Sequence, residues 1–238
     1  MQKSYKLSRI DSGNCLIFFA KYPATSAVKS RLAEKIGDKA AAVVYRNFVS
    51  DMLAVLENLD MTLKIFYTPA DARERFRRWL GGRYSYCPQT GDDLGERMKN
   101  AFERVFANSF ARAVLIGSDL PDLPEDFLTE AFRSLGSKDV VVGPSTDGGY
   151  YLIGFSKDSF LPQAFDDIAW SSTAVHEQTL DLLNEHGRGV HLLPRWRDVD
   201  TLVDLKSLIS RNKNTAFRQS KTFSYLMQNS EEIHVKKS

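Results

Sequence analysis

Residues 113–155 read AVLIGSDLPDLPEDFLTEAFRSLGSKDVVVGPSTDGGYYLIGF, and this stretch decides the fold. It holds two short apolar runs rich in β-branched residues, 113–117 and 140–143, each ending on a glycine. Such runs predict buried strands of an open α/β sheet. An aspartate follows each run in a turn, Asp119 after the first and Asp147 after the second. Because ligands gather outside the carboxyl ends of such strands, the sequence predicts that both carboxylates face one crevice.

The two turn aspartates are candidate metal ligands and catalytic groups. Carboxylate oxygens suit Mg²⁺ and Mn²⁺, and such an ion keeps positions free for the phosphate of a ligand. Asp119 and Asp147 therefore predict a Mg²⁺ or Mn²⁺ site. The alternative for Asp119, and the interpretation we favour for Asp122, is a turn or helix cap, and Asp-Gly-Gly is by itself an ordinary turn signal.

Strand, loop and helix patterns alternate along the chain. Apolar runs predict strands, and apolar residues at helical spacing predict helices between them. The first three units each suit a right-handed parallel crossover. Predicted strands cover residues 15–20, 61–67, 84–87, 113–117, 140–143, 150–155 and 189–193, and predicted helices cover 39–58, 71–80, 96–108, 172–186 and 201–209. Asp198 and Asp200 bracket the turn before the last helix, where Asp200 is interpreted as a cap.

Length and composition fit one domain. The chain of 238 residues is long enough for one full α/β domain, predicted over residues 1–210, with a C-terminal helix and tail over 211–238. The net charge of +2 gives no general attraction to nucleic acid or anionic membranes. The longest apolar run, residues 15–20, is far shorter than a membrane span, and the polar start lacks a signal core. Two cysteines without CxxC spacing fit a reducing compartment, so we expect a soluble, cytoplasmic protein.

The loop after the first predicted strand carries the candidate phosphate ligands. Lys21, Lys29 and Arg31 flank a turn that contains Pro23. A lysine is a point charge and an arginine a planar fork, a combination that grips phosphate oxygens. The alternative is a solvated, basic start of a helix. Because a helix N-terminus disfavours cations and attracts anions, we favour phosphate binding, and Lys29 is also a candidate catalytic group.

A second polar loop precedes the helix predicted at residues 96–108. Gln89, Asp93 and Arg97 lie in or beside it. Their side chains suit hydrogen bonds to a nucleobase or a ribose, and they suit equally well a role in capping and solvating the helix. They are candidate nucleotide ligands with this structural alternative open.

The candidate acceptor site lies around the Asp-Gly-Gly turn. Its glycines permit a close approach of the backbone to a ligand. Trp170 suits stacking on a sugar-like acceptor, although a tryptophan before a Ser/Thr helix cap is also a common structural arrangement. The candidate acceptor residues are Gly148, Gly149, Tyr150, Trp170 and Ser171.

Several enzyme classes lack their signature in this chain. There is no GxxxxGK[ST] of a P-loop NTPase, no GxGxxG after the first predicted strand and no GxSxG of a hydrolase. The four histidines show no metal-ligand spacing, which argues against zinc.

Seven blocks in order carry a family resemblance: FAKYP, VKSRL, QTGDDLGERM, IGSDLPDL, VVGPSTDGGYYLIG, WSSTAV and DVDTLVDL. Over about residues 16–208 the chain resembles a bacterial family of GT-A-type glycosyltransferase-like proteins, long carried as a domain of unknown function and linked to arsenosugar biosynthesis. The resemblance implies an α/β nucleotide-diphospho-sugar transferase fold, with a mixed, mostly parallel sheet flanked by helices. It also implies a nucleotide held by the first loop and a divalent metal at Asp119. The chain has Thr25 and Ser26 where the family commonly has Pro-Gly, and it lacks an Asp-x-Asp sequence at residues 118–122.

The hypothesis from the sequence is a metal-dependent glycosyltransferase that uses a nucleotide-diphospho-sugar donor and a small-molecule acceptor. Asp119, Asp147 and Lys29 are its candidate catalytic residues. The resembled superfamily also contains nucleotidyltransferases such as molybdenum-cofactor guanylyltransferase, so transfer of a nucleotidyl group from an NTP is the first alternative. A non-catalytic nucleotide-binding regulator is the second. The base, the sugar, the acceptor and the oligomeric state stay open.

Overall fold

A mixed, mostly parallel sheet forms the centre of the computed structural model, which describes residues 13–24, 28–170, 172–231 and 233. Within this part of the chain the sheet has seven strands in the order β3-β2-β1-β4-β6-β5-β7. Only β6 runs antiparallel to its neighbours, which are β4 and β5. The strands are β1 (Asn14–Lys21), β2 (Thr62–Thr68), β3 (Ser85–Pro88), β4 (Arg112–Ile116), β5 (Val140–Pro144), β6 (Tyr150–Ser156) and β7 (Val190–Leu192). The predicted α/β fold is confirmed.

Helices cover both faces of the sheet. The helices are α1 (Ser30–Ile36), α2 (Asp38–Leu56), α3 (Arg73–Leu80), α4 (Leu94–Ala107), α5 (Glu125–Ser134), α6 (Val175–Glu185), α7 (Leu202–Arg211) and α8 (Lys221–Gln228). Each predicted helix is present, with its ends shifted by a few residues. The predicted loop after the first strand is shorter than expected, because α1 begins at Ser30, and Gly37 at φ 82° separates α1 from α2.

Strand β1 shows why the sheet is buried on both sides. Its residues alternate between two apolar cores, with Leu16 and Phe18 in one core and Ile17 and Phe19 in the other. Successive side chains of a strand point to opposite faces, so an uninterrupted apolar run needs a helix layer on each face. Helices α2, α3 and α5 supply the first layer, and α4 and α6 supply the second.

The C-terminal part of the chain adds a third apolar cluster. Helices α1, α7 and α8 pack against the side of α2 that faces away from the sheet. The start of α8 is held by Asp51, whose carboxylate accepts hydrogen bonds from the backbone N–H groups of Lys221 and Thr222, both at 2.9 Å. The C-terminal helix expected from the sequence is therefore α8, docked on α2. No helix of the described residues is long and apolar enough to cross a bilayer.

The topology places the loops of interest at one edge. Strands β1 and β4 pair in parallel, and β4 and β5 both run antiparallel to β6, which lies between them. Strands β1, β4 and β5 therefore share one direction, and their carboxyl ends lie at the same edge of the sheet. Lys21 is the last residue of β1, and the turns that follow β4 and β5 carry Asp119 and Asp147.

Candidate functional site

A cavity of about 700 Å³ lies at this edge of the sheet and is called the main cavity. Asp119 and Asp147 both line it, so the two turns meet around one space, as the sequence predicts. A smaller pocket of about 470 Å³ shares five lining residues with it and adds Lys29. The main cavity brings together eight of the predicted site residues: Lys21, Arg31, Gln89, Asp119, Asp147, Gly149, Tyr150 and Trp170.

Lys29 lies in the middle of the acidic groups instead of facing solvent. Its Nζ lies 2.6 Å from Asp119 Oδ1 and 2.7 Å from Asp200 Oδ1, and its side chain is only 3% exposed. Burial by itself lowers the pKa of Lys29, but the two carboxylates outweigh it and the net pKa is raised. The residue adopts the left-handed conformation at φ 54° just before α1. The predicted phosphate ligand is thus fully engaged as a counter-ion in this conformation.

Asp200 is a site residue that the sequence interpretation treated as a helix cap. The cap of α7 is Thr201, whose side chain accepts a hydrogen bond from the backbone N–H of Asp204 in a capping box. Asp200 instead accepts a hydrogen bond from Lys29 and lines both the main cavity and the smaller pocket. The signal was the sequence Asp-Val-Asp-Thr, where a threonine able to cap the helix leaves the preceding aspartates free for another role.

Asp198 and Asp147 form the second acidic part of the main cavity. Asp198 accepts a hydrogen bond of 2.6 Å from Ser145 Oγ, and Asp147 Oδ1 accepts one of 3.1 Å from the backbone N–H of Gly149. Burial chiefly raises the pKa of Asp198, and the charges of Asp147 and Asp200 raise it further. Asp119 and Asp200 also line this cavity, so four carboxylates surround it. The ammonium of Lys29 pairs with two of them, Asp119 and Asp200. The excess negative charge favours a bound cation.

The donor set fits a metal ion that a ligand helps to hold. Among the described residues, no three His, Cys, Asp or Glu side chains are grouped closely enough to hold an ion by themselves. Mg²⁺ commonly takes one or two carboxylates and completes its shell with water and substrate phosphate. Carboxylates on separate turns around one cavity match that pattern.

A buried tyrosine ties the first loop to the aspartate turn. Tyr45 of α2 is 3% exposed, and its hydroxyl oxygen accepts a hydrogen bond of 2.9 Å from the backbone N–H of Lys21. The same hydroxyl lies 2.8 Å from Ser118 Oγ, next to Asp119. Burial and the charge of Asp119 raise the pKa of Tyr45, so the phenol stays neutral. The two contacts of the Tyr45 hydroxyl therefore fix the spacing between the ends of β1 and β4.

The remaining predicted nucleotide ligands divide into two groups. Gln89 lines the main cavity, and its Nε2 donates a hydrogen bond to the Phe66 carbonyl. Asp93 caps α4 by accepting a hydrogen bond from the Glu96 backbone, and Arg97 Nε donates to the Gly91 carbonyl. Neither Asp93 nor Arg97 lines the main cavity, so the structure shows the capping alternative for both.

Pro23 is buried near the start of the first loop and lines none of these cavities. Its carbonyl oxygen accepts a long hydrogen bond of 3.4 Å from Arg46. Thr25 and Ser26 lie outside the described residues.

The predicted acceptor residues surround the other end of the main cavity. Gly149, Tyr150 and Trp170 line it, whereas Gly148 lines a neighbouring cavity and Ser171 lies outside the described residues. The rings of Tyr150 and Trp170 meet edge to face with their centroids 6.4 Å apart. A Cβ atom on Gly95 of α4 would lie 2.6 Å from Trp170 Nε1, so the indole also packs tightly on the start of that helix.

Asp122, by contrast, has a structural role, as favoured from the sequence. Its carboxylate is 3% exposed and accepts two hydrogen bonds from Arg211, at 2.7 and 2.8 Å, and one of 2.6 Å from Asn212. It anchors the end of α7 to the turn after β4. The turn after β4 therefore supplies Asp119 to the cavity and no second carboxylate.

Comparison with known families places the chain. Residues 52–172 match the family described as "Uncharacterized protein conserved in bacteria (DUF2064)". The chain belongs to this family. This DUF2064 protein is also 45% identical to a chain from Desulfovibrio desulfuricans G20, whose crystal structure is described as that of a "putative nucleotide-diphospho-sugar transferase". The match covers 94% of this chain and 97% of the other, with a TM-score of 0.91.

More distant structures share the fold of this DUF2064 protein. A cytidylyltransferase from Leptospira borgpetersenii serovar Hardjo-bovis is 14% identical over 95% of this chain and 98% of the other, with a TM-score of 0.55. Rv0371c from Mycobacterium tuberculosis H37Rv, in complex with manganese, is 17% identical over 83% of this chain and 97% of the other, with a TM-score of 0.51. No curated protein sequence matches the chain significantly.

Proposed function

We propose that the protein is a metal-dependent transferase whose donor is a nucleotide-diphospho-sugar. The observation that carries the proposal is the arrangement of charge around the main cavity. Lys21 and Arg31 are exposed, line the cavity and make no ion pair within the described residues, while four carboxylates lie nearby. Free cations opposite a cluster of carboxylates suit a diphosphate bound together with a divalent metal ion. The description of the Desulfovibrio relative supports the same class.

Different residues bind the diphosphate and the metal ion in this proposal. Lys21 and Arg31 bind its oxygens and hold the negative charge that grows as the diphosphate leaves. Asp119 and Asp147, joined by Asp200, would hold Mg²⁺ or Mn²⁺. When bound, that ion supplies charge neutralisation at the phosphates. The crystallised manganese complex of Rv0371c shows that a protein of this fold accepts such an ion.

Lys29 has a positioning role in this proposal. Its ammonium joins the first loop to Asp119 and Asp200, so it sets where these carboxylates lie before a ligand arrives. Tyr45 adds a second connection between the same loop and the turn after β4. Gln89 borders the main cavity with its amide nitrogen already bonded to Phe66, which leaves its carbonyl oxygen for a donor group of the nucleotide.

Calorimetry with Mn²⁺ in the presence of a nucleoside diphosphate tests the metal assignment. We expect Asp119→Asn to weaken Mn²⁺ binding by at least tenfold, because an amide oxygen replaces an ionised ligand. The control is Asp158→Asn, since Asp158 is exposed and lies on a turn after β6. Equal Mn²⁺ affinity in the wild type and Asp119→Asn would remove Asp119 from the metal site.

The alternative is nucleotidyl transfer from an NTP, with release of pyrophosphate. The structure offers one observation in its favour, since Asp122 is committed to Arg211 and the turn after β4 supplies no Asp-x-Asp pair to the cavity. Product analysis separates the two reactions, because purified protein with an NDP-sugar and acceptor yields an NDP, whereas an NTP and acceptor yield pyrophosphate. Tight nucleotide binding without turnover over a broad acceptor panel would point instead to a nucleotide-binding regulator.

A further inference from the structure

A second cavity of about 580 Å³ lies on the far side of Asp147 and is called the α6 cavity. Its walls are the turn at residues 146–148, one side of α6 and the side chain of Arg195. Asp147 and Thr173 line both this cavity and the main cavity. The Asp147 carboxylate thus stands at the boundary between the two spaces.

The boundary is built from tightly packed backbone. Gly148 adopts φ 94°, and a Cβ atom there would overlap the carbonyl oxygen of Thr173 and lie 2.6 Å from its Cα. The Gly148 carbonyl accepts a hydrogen bond of 2.9 Å from the backbone N–H of His176 at the start of α6. The bond from the Gly149 backbone to Asp147 Oδ1 orients the carboxylate itself. These contacts hold Asp147 in place between the cavities.

The two cavities differ in the charge that they offer a ligand. In the main cavity, Lys21 and Arg31 are cations without an acidic partner in the described part of the chain. In the α6 cavity, Glu177 and Asp181 stand at the exposed rim beside Asp147, and none of the three makes an ion pair among the described residues.

The cationic side of the α6 cavity is weaker. Arg195 is exposed, and within the part of the chain that the structure describes it makes one long hydrogen bond, of 3.5 Å to the Ser145 carbonyl. Burial, and then the nearby charge of Arg195, lower the pKa of His176, so its imidazole is neutral near pH 7. Three carboxylates against one guanidinium leave this cavity with a net negative charge.

From this division of charge we infer that the α6 cavity binds the acceptor, and that the acceptor is an uncharged, polyhydroxylated molecule; this rests on the proposed transferase function. A hydroxyl group both donates and accepts hydrogen bonds, so it suits a wall where carboxylates accept and Arg195 and Asn184 donate. A phosphorylated acceptor meets the carboxylates of Glu177 and Asp181 here, against the single guanidinium of Arg195, and is repelled. The free cations that suit a phosphate lie in the main cavity, where the donor binds.

The shared carboxylate gives this arrangement a chemical consequence. A hydroxyl group of an acceptor in the α6 cavity meets the donor in the main cavity beside the Asp147 side chain, which lines both spaces. Its oxygen forms the new bond to the anomeric carbon of the donor sugar, and the bond from that carbon to the phosphate oxygen breaks. The nucleoside diphosphate leaves with that electron pair, and the hydroxyl proton passes to water in the open α6 cavity, since Asp147 is assigned to the metal ion.

The test uses the full chain and ligand-observed NMR with two probes, glucose and glucose 6-phosphate. Asn184→Trp fills the α6 cavity, because Asn184 lines this cavity and not the main one. The matched control is Asn58→Trp, which places the same bulk at an exposed position just beyond the end of α2. We expect the wild type and the control to bind glucose at least tenfold more tightly than glucose 6-phosphate. We expect Asn184→Trp to lose at least tenfold in glucose affinity.

Either of two results would overturn the inference. Unchanged glucose affinity in Asn184→Trp would show that glucose does not bind in the α6 cavity. Tighter binding of glucose 6-phosphate than of glucose would show that the carboxylates do not exclude a phosphorylated acceptor. The probes bind without a donor, so this experiment is independent of turnover. Loss of the transferase proposal would show separately, as an absence of nucleotide binding in a thermal-shift assay on the same three proteins.

Discussion

Lys29 Nζ lies 2.6 Å from Asp119 Oδ1, and the cation is the buried member of the pair. The lysine side chain is 3% exposed, whereas the side chains of Asp119 and Asp200 are 41% and 43% exposed. Each carboxylate therefore keeps a face open to the cavity while the lysine holds it from behind. The buried ammonium of Lys29 thus positions the carboxylates of Asp119 and Asp200.

We expect Lys29→Met to destabilise the protein by about 1–3 kcal/mol. Breaking a fully buried pair costs about 3–5 kcal/mol, and the loss is smaller here because both carboxylates remain partly hydrated. The raised pKa of Lys29 gives the pH window. The stabilisation is complete below the unfolded value of 10.5 and is lost as the pH rises through the folded pKa. Urea unfolding between pH 7 and 11 measures the difference.

Lys99→Met is the control for this substitution. Lys99 pairs with Asp166 at 2.8 Å, but its side chain is 26% exposed and that of Asp166 is 47% exposed. A surface pair contributes little, so the control should lose less stability than Lys29→Met. Equal losses in the two variants would show that the burial of Lys29 has no energetic consequence.

We expect Asp198→Asn to be more stable than the wild type at pH 7, by about 1 kcal/mol or less. Burial and the charges of Asp147 and Asp200 raise the pKa of Asp198, so its ionised form costs stability above the folded pKa. The amide oxygen of asparagine still accepts the hydrogen bond from Ser145. The advantage should shrink as the pH falls through the folded pKa toward the unfolded value of 3.8.

Urea unfolding at pH 7 and pH 4 checks this pH dependence. The exposed Asp158→Asn variant serves as the control and should match the wild type at both values. A variant Asp198→Asn that is less stable than the wild type at pH 7 would contradict the electrostatic explanation. It would indicate that the charge of Asp198 has a stabilising partner.

The sequence predicts the strands well, because their signal is local. The run at residues 113–117 is apolar on both faces and stops on a glycine, and it forms β4 within one residue of the expected bounds. Apolar content does not encode direction, however. The sequence of residues 150–155 resembles that of the other strands. The antiparallel direction of β6 becomes evident only from its pairing with β4 on one side and β5 on the other. The mixed character of the sheet came from the family resemblance alone.

The candidate site shows a sharper division between what is local and what is not. Asp119 and Asp147 could be placed together, because each follows a strand and the strands share one direction. The contact between Lys29 and Asp200 joins residues 171 positions apart, and no spacing rule connects them. The neighbouring Thr201 can cap α7 in place of Asp200, but this local signal does not show which residue Asp200 contacts. Long-range side-chain pairing is fixed by the completed fold, which is why the sequence missed it.

Gly148 and Gly187 separate the cost of backbone strain from the cost of a contact. Both adopt positive φ, 94° and 64°. A Cβ on Gly187 meets no described residue within 4 Å, whereas one on Gly148 overlaps the backbone of Thr173. We expect Gly187→Ala to lose about 1 kcal/mol from strain alone. Gly148→Ala should lose at least about 2 kcal/mol more, since overpacking against rigid backbone forces a shift.

The measurement is urea unfolding of both variants, combined with amide chemical shifts of residues 146–149 and 173–176. Gly148→Ala should move these resonances because the Asp147 turn and the start of α6 must separate. Gly187→Ala should leave them in place, since Gly187 lies beyond the other end of α6. Equal stability losses in the two variants would mean that the turn and the helix adjust freely, and that Asp147 is not held at the boundary between the two cavities.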